Sequence, residues 1–352
     1  MKTIFLLLIF TILAGCSATP KNDNRALNPD HSQTAPPSFS SALSIRNQEN
    51  CFASRGPAYY GPQPGIGEKL AKQDEGLPKF PLGQSFDYKG QSYVCYRFIY
   101  EVDGVWVEGH AVKLANTNGK KLPAIIYNRG GNNDSRLGVN HIHIIYDTMV
   151  HLAGKGFIVI ASQYRGAPVW PKGTTVNIGQ DEFGGRDVDD VHALIPILEG
   201  MPEVDTQRIG MVGVSRGGMM TYLACKNNPR IKAIAVWAGV TDHWPQSIQR
   251  PEMDKYVFSR LIPNYKTNKE QVLRDRSVIY WLDQLDSKLS ILLLHGDADD
   301  RVTVDNSINL AAKLKERGQV HKLIIYPKAN HSLTPFRDEA TEEVAQWFKE
   351  KL

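Results

Sequence analysis

Arg208-Ile209-Gly210-Met211-Val212-Gly213-Val214-Ser215-Arg216-Gly217-Gly218-Met219-Met220-Thr221-Tyr222-Leu223-Ala224 passes from an apolar run, through a Gly-x-Ser-x-Gly turn, into a helix-like segment. Strand, sharp turn and helix in that order form a nucleophile elbow. The residue types follow from the geometry. The serine sits at the tip of a strained turn, and its flanking positions are glycine because side chains there would meet the neighbouring strand and helix. The helix that follows aims its free N–H groups and positive dipole end at the place where an oxyanion forms. Ser215 is therefore the candidate nucleophile. The rest of the chain has to supply a base, an acid and a scaffold.

The scaffold shows as alternation. Strand-like runs fall at Ala124–Tyr127, Phe157–Ala161, Ile209–Val214, Ala233–Trp237, Ile291–Leu294 and Lys322–Tyr326. Helix-like segments lie between and after them, near His143–Ala153, Asp187–Leu198, Gly217–Lys226, Val304–Arg317 and Asp338–Leu352. Short, continuously apolar strands alternating with helices imply a mostly parallel sheet covered on both faces. Ahead of this series, Tyr93–Tyr100 and Val105–Val112 flank Asp103-Gly104, a hairpin signal. A leading antiparallel hairpin before a parallel α/β series fits the α/β-hydrolase plan. Thr241–Asp286 interrupts the alternation with aromatic residues and charges, and reads as a small lid over the site, with a longer surface excursion as the alternative.

In that plan the acid and then the histidine follow the serine. After the strand Ser290–Leu294 comes His295-Gly296-Asp297-Ala298-Asp299-Asp300-Arg301-Val302, where a carboxylate at the strand's C-terminal end can hold a catalytic imidazole. Three aspartates compete: Asp297, Asp299 and Asp300. The last strand leads to Asn330-His331, so His331 is the candidate base. His295 reads as a structural residue closing its turn. His141-x-His143 lacks an evident third ligand and reads as a surface pair, not a metal site. One oxyanion donor is expected from the backbone N–H of Arg216. The other is expected from the turn Asn128-Arg129-Gly130-Gly131, with Arg129 first and Gly130 next. The Arg129 side chain would serve a structural salt bridge, or else a substrate carboxylate. Asp181-Glu182-Phe183-Gly184-Gly185 reads as a segment positioning the helix after it, with a substrate-amine contact as the alternative.

His-Gly-x-x-Asp-Asp-x-Val followed by an Asn-His pair, together with Asp187-Val188-Asp189-Asp190-Val191 ahead of Val204-Asp205-Thr206-Gln207-Arg208-Ile209-Gly210, resembles the catalytic domain of the prolyl oligopeptidase (S9) family of serine peptidases. The resemblance covers about residues 90 to 350. It implies an α/β-hydrolase fold and a Ser215–Asp299–His331 triad, because the family places its acid at the fifth position of the His-Gly motif. Asp297 is then a turn residue, and Asp300 a helix-start or loop-anchoring one. The chain departs from the family pattern at Asn128 and Arg129, and at Arg216, where many members carry an aromatic residue. Full-length members place a β-propeller ahead of the hydrolase domain. Here roughly 75 residues separate the low-complexity N-terminal stretch from the first parallel strands, too few for four four-stranded blades. Specificity that relatives draw from a propeller is therefore not carried over.

Bulk composition sets the class. The 352 residues are 42% hydrophobic and 22% charged, ordinary for a globular chain, and a net charge of +4 without a basic run gives no support to nucleic-acid binding. Lys2, an apolar run to Leu13 and Leu13-Ala14-Gly15-Cys16 read as a secretory signal over residues 1–15. Leu-Ala-Gly-Cys resembles the lipobox of bacterial lipoproteins, which implies lipidation at Cys16 and an exported protein held on an envelope membrane, the outer one in a Gram-negative host. Residues 16–50 read as a flexible tether and 51–118 as an irregular segment plus the hairpin, with the catalytic core at 119–352. Exported chains meet oxidising conditions, so Cys51 and Cys95 are a candidate disulfide, whereas Cys225 reads as a buried thiol.

The chemistry expected is acyl transfer without a metal or organic cofactor. The substrate is a peptide in the first instance, with a carboxylesterase or other acyl hydrolase as the alternative, since the same triad cleaves esters. A lipid-anchored binding protein with a dead site is the third class, and an intact set of Ser215, Asp299 and His331 argues against it.

Overall fold

The structure is a computed structural model that describes residues 45–50, 86–88, 90–131, 142–169 and 175–352. The signal stretch, most of the tether, Cys16, Cys51 and His141 lie outside the described residues. Among the described residues ten strands form one sheet: β1 (Ile45–Asn50), β2 (Phe86–Tyr88), β3 (Gln91–Val102), β4 (Val105–Leu114), β5 (Leu122–Asn128), β6 (Ile158–Ser162), β7 (Val204–Val214), β8 (Ile231–Trp237), β9 (Ser290–Gly296) and β10 (His321–Tyr326). Their order is β1-β3-β4-β6-β5-β7-β8-β9-β10, with β2 beside β3. Pairing is antiparallel from β1 to β6 through β3 and β4, and parallel from β6 to β10. This is the α/β-hydrolase fold with its antiparallel N-terminal hairpin.

Period-two patterning on both faces explains why the parallel strands read as unbroken apolar runs. In β9, Ile291 and Leu293 enter one core cluster while Leu292 and Leu294 enter the other. All four are fully buried. At about 1.5–3 kcal/mol each they contribute about 6–12 kcal/mol before chain entropy is subtracted. One polar substitution there would take a large share of a domain's net stability.

Helices cover the two faces. α1 (Ile142–Gly154) and α8 (Arg337–Lys351) cover one; α2 (Asp187–His192), α3 (Leu194–Glu199), α4 (Arg216–Cys225) and α7 (Asp305–Glu316) cover the other. In α8 the buried Ala340, Val344, Ala345, Trp347 and Phe348 recur at helical spacing. Asp338 and Glu339 open it, and Lys349 and Lys351 close it, in the sense that complements the helix dipole.

Two elements differ from the sequence reading. The helix expected over Asp187–Leu198 is two short helices that meet at Ala193. Pro196 has no N–H for the carbonyl four residues back, and its ring crowds that carbonyl. The end of the stretch read as tether, Ile45–Asn50, is edge strand β1 on β3. Its sequence, Ile-Arg-Asn-Gln-Glu-Asn, has no apolar alternation to announce a strand, and it is held through backbone pairing.

The register of the sheet sets up one edge. Asn128 pairs with Gly213, Val214 with Trp237, Trp237 with Leu294 and Gly296 with Tyr326. The C-terminal ends of β5, β7, β8, β9 and β10 are therefore level. The chain leaves β5 for β6 on one side and returns as β7 on the other, so the carboxyl edge at β5 and β7 is a topological switch point, where open α/β sheets bind ligands.

Candidate active site

Ser215 stands between β7 and α4 with φ 57° and ψ −121°, a left-handed backbone that a non-glycine residue adopts only when its surroundings impose it. Several contacts do so. The Ser215 N–H donates to the Trp237 carbonyl at 2.9 Å, and the Gly218 N–H donates back to the Ser215 carbonyl at 2.8 Å. A Cβ on Gly217 would run into the Asn128 carbonyl, and one on Gly213 into the Gly217 carbonyl and the Thr221 hydroxyl. The first turn of α4 is thus pressed onto the end of β5, and the glycine spacing exists to let it close.

Asp299 and His331 meet beyond the ends of β9 and β10, with His331 Nδ1 at 2.7 Å from Asp299 Oδ2. The other carboxylate oxygen, Oδ1, accepts the N–H groups of Arg301 (2.8 Å) and Val302 (3.0 Å). His295 Nε2 lies 3.2 Å from Oδ2 and 2.8 Å from the Val302 carbonyl, while its Nδ1 is 2.7 Å from Ser307 Oγ. His295 is fully buried and braces the acid loop, as a structural residue would. Burial raises the Asp299 carboxyl, but the hydrogen bonds from His295 and His331 outweigh it and hold the group well below the usual carboxylate range. The His331 loop is shaped by Asn330, whose Oδ1 accepts the N–H groups of Ser332 (3.0 Å) and Thr334 (3.2 Å). The two competing aspartates stand apart from the imidazole. Asp297 is exposed and accepts the Lys328 N–H as a turn residue, and Asp300 is exposed.

The turn after β5 lies against the elbow. A Cβ on Gly130 would stand 3.1 Å from the Val214 carbonyl oxygen and 3.3 Å from Ser215 Cβ. The side chain of Arg129 is buried over the Tyr164 ring (4.8 Å) and donates to the carbonyls of Gly130 and Gln163. Burial pulls its guanidinium down to about 10. The Arg216 side chain, 2% exposed, turns back under the elbow. It donates to both oxygens of Asp181 (2.7 and 2.6 Å), to Asp187 (2.6 Å) and to the carbonyl of Gly131 (3.1 Å), and lies over the rings of Phe183 and Tyr164. Asp181 is thereby committed to Arg216, and Asp187 also accepts the Gly184 and Gly185 N–H groups. The Asp181–Gly185 segment positions α2 and the elbow together.

Above Ser215 is a cavity of about 480 Å³, which His331, Gly130, Gly131, Arg129 and Arg216 also line. The insertion between β8 and β9 forms its far wall. Its helix α5 (His243–Gln249), begun by the Asp242 carboxylate accepting the Trp244 N–H at 3.0 Å, contributes His243 and Gln246. Arg250, Met253 and Val257 follow from the succeeding turns, and Arg301 and Arg337 complete the rim. The sequence carried no mark for these residues, because each faces the cavity only through the path of the insertion or of a loop. His243 is the second histidine in the cavity wall. Burial, with Arg276 adding to it, pushes its imidazole down to about 3, so it is an uncharged wall residue, edge-on to Phe183. Among the described residues no group of three or more His, Cys, Asp or Glu side chains is placed to hold a metal ion.

A sequence model of the prolyl oligopeptidase family matches residues 145–352. The chain belongs to that family. Within it, the chain is 27% identical over 256 residues to an uncharacterized peptidase of Bacillus subtilis, YuxL, an alignment covering 71% of this chain and 38% of YuxL. It is 24% identical over 272 residues to a second uncharacterized peptidase of that organism, YtmA, covering 76% of this chain and 97% of YtmA. Among solved structures, an acylaminoacyl peptidase of Pyrococcus horikoshii superposes with a TM-score of 0.61 at 21% identity, over 77% of this chain and 45% of that one. The chain thus spans less than half the length of YuxL and of the Pyrococcus enzyme. Family membership and fold make the protein an enzyme of the serine hydrolase type.

Proposed function

We propose that the protein is a serine peptidase that works through an acyl-enzyme on Ser215, with His331 as general base and Asp299 as its orienting acid. The observation that carries this is the 2.7 Å contact of His331 Nδ1 with a doubly N–H-bonded Asp299, in a cavity shared with a serine on a strained elbow. The Asp299 contact fixes the proton on Nδ1 and leaves Nε2 to take the Ser215 hydroxyl proton as Oγ attacks the acyl carbon. The oxyanion is received by the backbone N–H groups of Arg216 and of the 129–130 turn. His331 then hands its proton to the leaving nitrogen as the bond to the acyl carbon breaks. Water adds to the acyl-enzyme, loses a proton to His331 and releases the acid, restoring Ser215.

A fluorophosphonate probe should label the folded protein and fail to label Ser215→Ala. Absence of labelling in folded wild type would remove the hydrolase mechanism altogether. kcat/KM measured on matched peptidyl anilides and simple alkyl esters then separates a peptidase from an esterase, and a preference for the esters would overturn the peptide assignment.

We further propose that the protein is exported and anchored through a lipid on Cys16, in the sequence Leu13-Ala14-Gly15-Cys16. Cys95 is disulfide-bonded, which fits an oxidising compartment.

A further inference from the structure

Taking the hydrolase mechanism above as given, we propose that the cavity over Ser215 selects substrates carrying a carboxylate, received by the guanidinium groups of Arg250 and Arg301. Five arginines line this cavity, and among its described lining residues none is Asp or Glu. They divide by what already holds them. Arg216 has both terminal nitrogens held by Asp181, Asp187 and Gly131, and Arg129 is buried on backbone carbonyls and Tyr164, so both belong to the architecture under the elbow. Arg337 stands at the start of α8, with its guanidinium over the Trp237 ring.

Arg250 and Arg301 differ. Arg301 is exposed, and its guanidinium has no carboxylate within ion-pair distance among the described residues. Its backbone is nonetheless fixed on both sides: its N–H donates to Asp299 at 2.8 Å, and its carbonyl accepts from Arg250 Nη1 at 3.4 Å. Arg250 comes from the insertion and is steadied by Glu252, half-exposed and outside the cavity, through Nε at 2.8 Å. The Arg250 guanidinium and the Arg301 backbone, from two separate elements, are therefore linked, and the latter is tied to the loop of the proposed acid. A guanidinium fork matches a planar carboxylate in two parallel hydrogen bonds. The same wall repels an ammonium group and offers it no carboxylate among the described residues. The remaining lining, Phe183, Trp237, Val240, Met253 and Val257, suits the apolar body of an acyl group. A substrate with an apolar acyl body and an anionic end satisfies both parts.

The carboxylate can come from the acyl side or the leaving side, and paired substrates separate these: N-succinyl against N-acetyl peptidyl anilides, Glu against Gln before the scissile bond, and free-acid against amidated peptides. Wild-type enzyme, titrated by fluorophosphonate labelling, should favour the acid member of at least one pair by about tenfold or more in kcat/KM, the scale of a hydrogen bond to a charged group. That ratio should shrink between ~0.05 and ~0.5 M salt, as screening requires. Arg301→Gln and Arg250→Gln should each bring it toward one, mainly through KM, and Arg301→Lys should retain part of it. If Arg250→Gln does not fold, Arg301→Gln decides alone. Labelled, active enzyme that treats every pair alike, or a ratio that survives Arg301→Gln, overturns the proposal and leaves the hydrolase mechanism standing. Failure of folded wild type to label removes both.

Discussion

Replacing Arg216 by Met would remove one cation from beneath the elbow and leave two buried carboxylates. Arg216 is the shared partner of Asp181 and Asp187, whose side chains are 3% and 0% exposed. Breaking a buried pair by deleting one partner costs about 3–5 kcal/mol, because the remaining charge is stranded. Arg129 remains nearby and its charge still acts on both carboxylates, so we expect the low end, about 3 kcal/mol. Met matches the volume of the arginine stem, which keeps cavity formation out of the measurement. The pH dependence identifies the cause. Burial alone raises the Asp181 carboxyl, but the charge and hydrogen bonds of Arg216 overcome this and hold it below its ordinary value. That stabilisation is present above the unfolded carboxyl value, ~3.9, and is lost as pH falls through the lowered folded value. Without Arg216 burial dominates, the folded carboxyl value rises, and folding is penalised most near neutrality. Urea unfolding, followed by tryptophan fluorescence, should show the largest gap between wild type and Arg216→Met at pH 7, narrowing toward pH 4. The triple variant with Asp181→Asn and Asp187→Asn should recover most of the loss, since each Asn keeps an acceptor oxygen for the backbone N–H groups its Asp now serves. A single variant within about 0.5 kcal/mol of wild type, the range of neutral surface changes, would refute the reasoning. So would a gap that is the same at both pH values.

Asp299→Asn should cost roughly a thousandfold or more in kcat, by removing the acceptor that fixes the imidazole tautomer, whereas Asp297→Asn and Asp300→Asn should stay near wild type; steady-state rates of the three variants, normalised by circular dichroism, check this, and equal losses would count against the assignment. Gly217→Ala should destabilise by about 1–3 kcal/mol and lose probe labelling, because its methyl group meets the Asn128 carbonyl; a fully active, equally stable Gly217→Ala would contradict the packing described. Radiolabelled palmitate should enter the wild-type protein in a bacterial host and be lost in Cys16→Ser, and label that persists in the variant would exclude lipidation at that residue.

The parallel core was legible because its strands are buried on both faces. Ile291-Leu292-Leu293-Leu294 cannot alternate when both neighbours are apolar, and such runs punctuated by helices have few other interpretations. The triad candidates were legible because each sits just past a strand end, a position that sequence order alone supplies. Choosing Asp299 among three aspartates was harder. All three follow the same strand, and they differ only in how the turn aims them: Asp297 toward the Lys328 N–H and Asp299 toward His331. The role of the Arg216 side chain was not legible at all. Its partners lie 35 and 29 residues away in sequence, within a Gly-rich stretch that only the fold brings under the elbow. That the insertion covers the site was legible, but which of its residues reach the cavity was not, since His243, Gln246 and Arg250 share a wall through helix α5 and its exit turn, a placement that composition does not encode.

The arginine after the nucleophile has a second consequence for the proposed oxyanion site. An uncancelled positive charge beside the oxyanion would stabilise the transition state, but it would also hold free anions in the resting site, where they compete with substrate. Here the charge is cancelled locally: Arg129 and Arg216 stand against Asp181 and Asp187, two cations and two carboxylates, all buried. In the proposed mechanism the acyl oxygen would then meet only the N–H dipoles at the start of α4 and in the turn after β5, oriented before the reaction begins. The Arg216 side chain holds that orientation from below. It reaches the Gly131 carbonyl in the turn after β5 while its own backbone begins α4, so the two proposed donor turns are tied together. Net positive potential is thereby left to the rim, at Arg250, Arg301 and Arg337, away from the proposed oxyanion site, which is where the carboxylate selectivity proposed above would act.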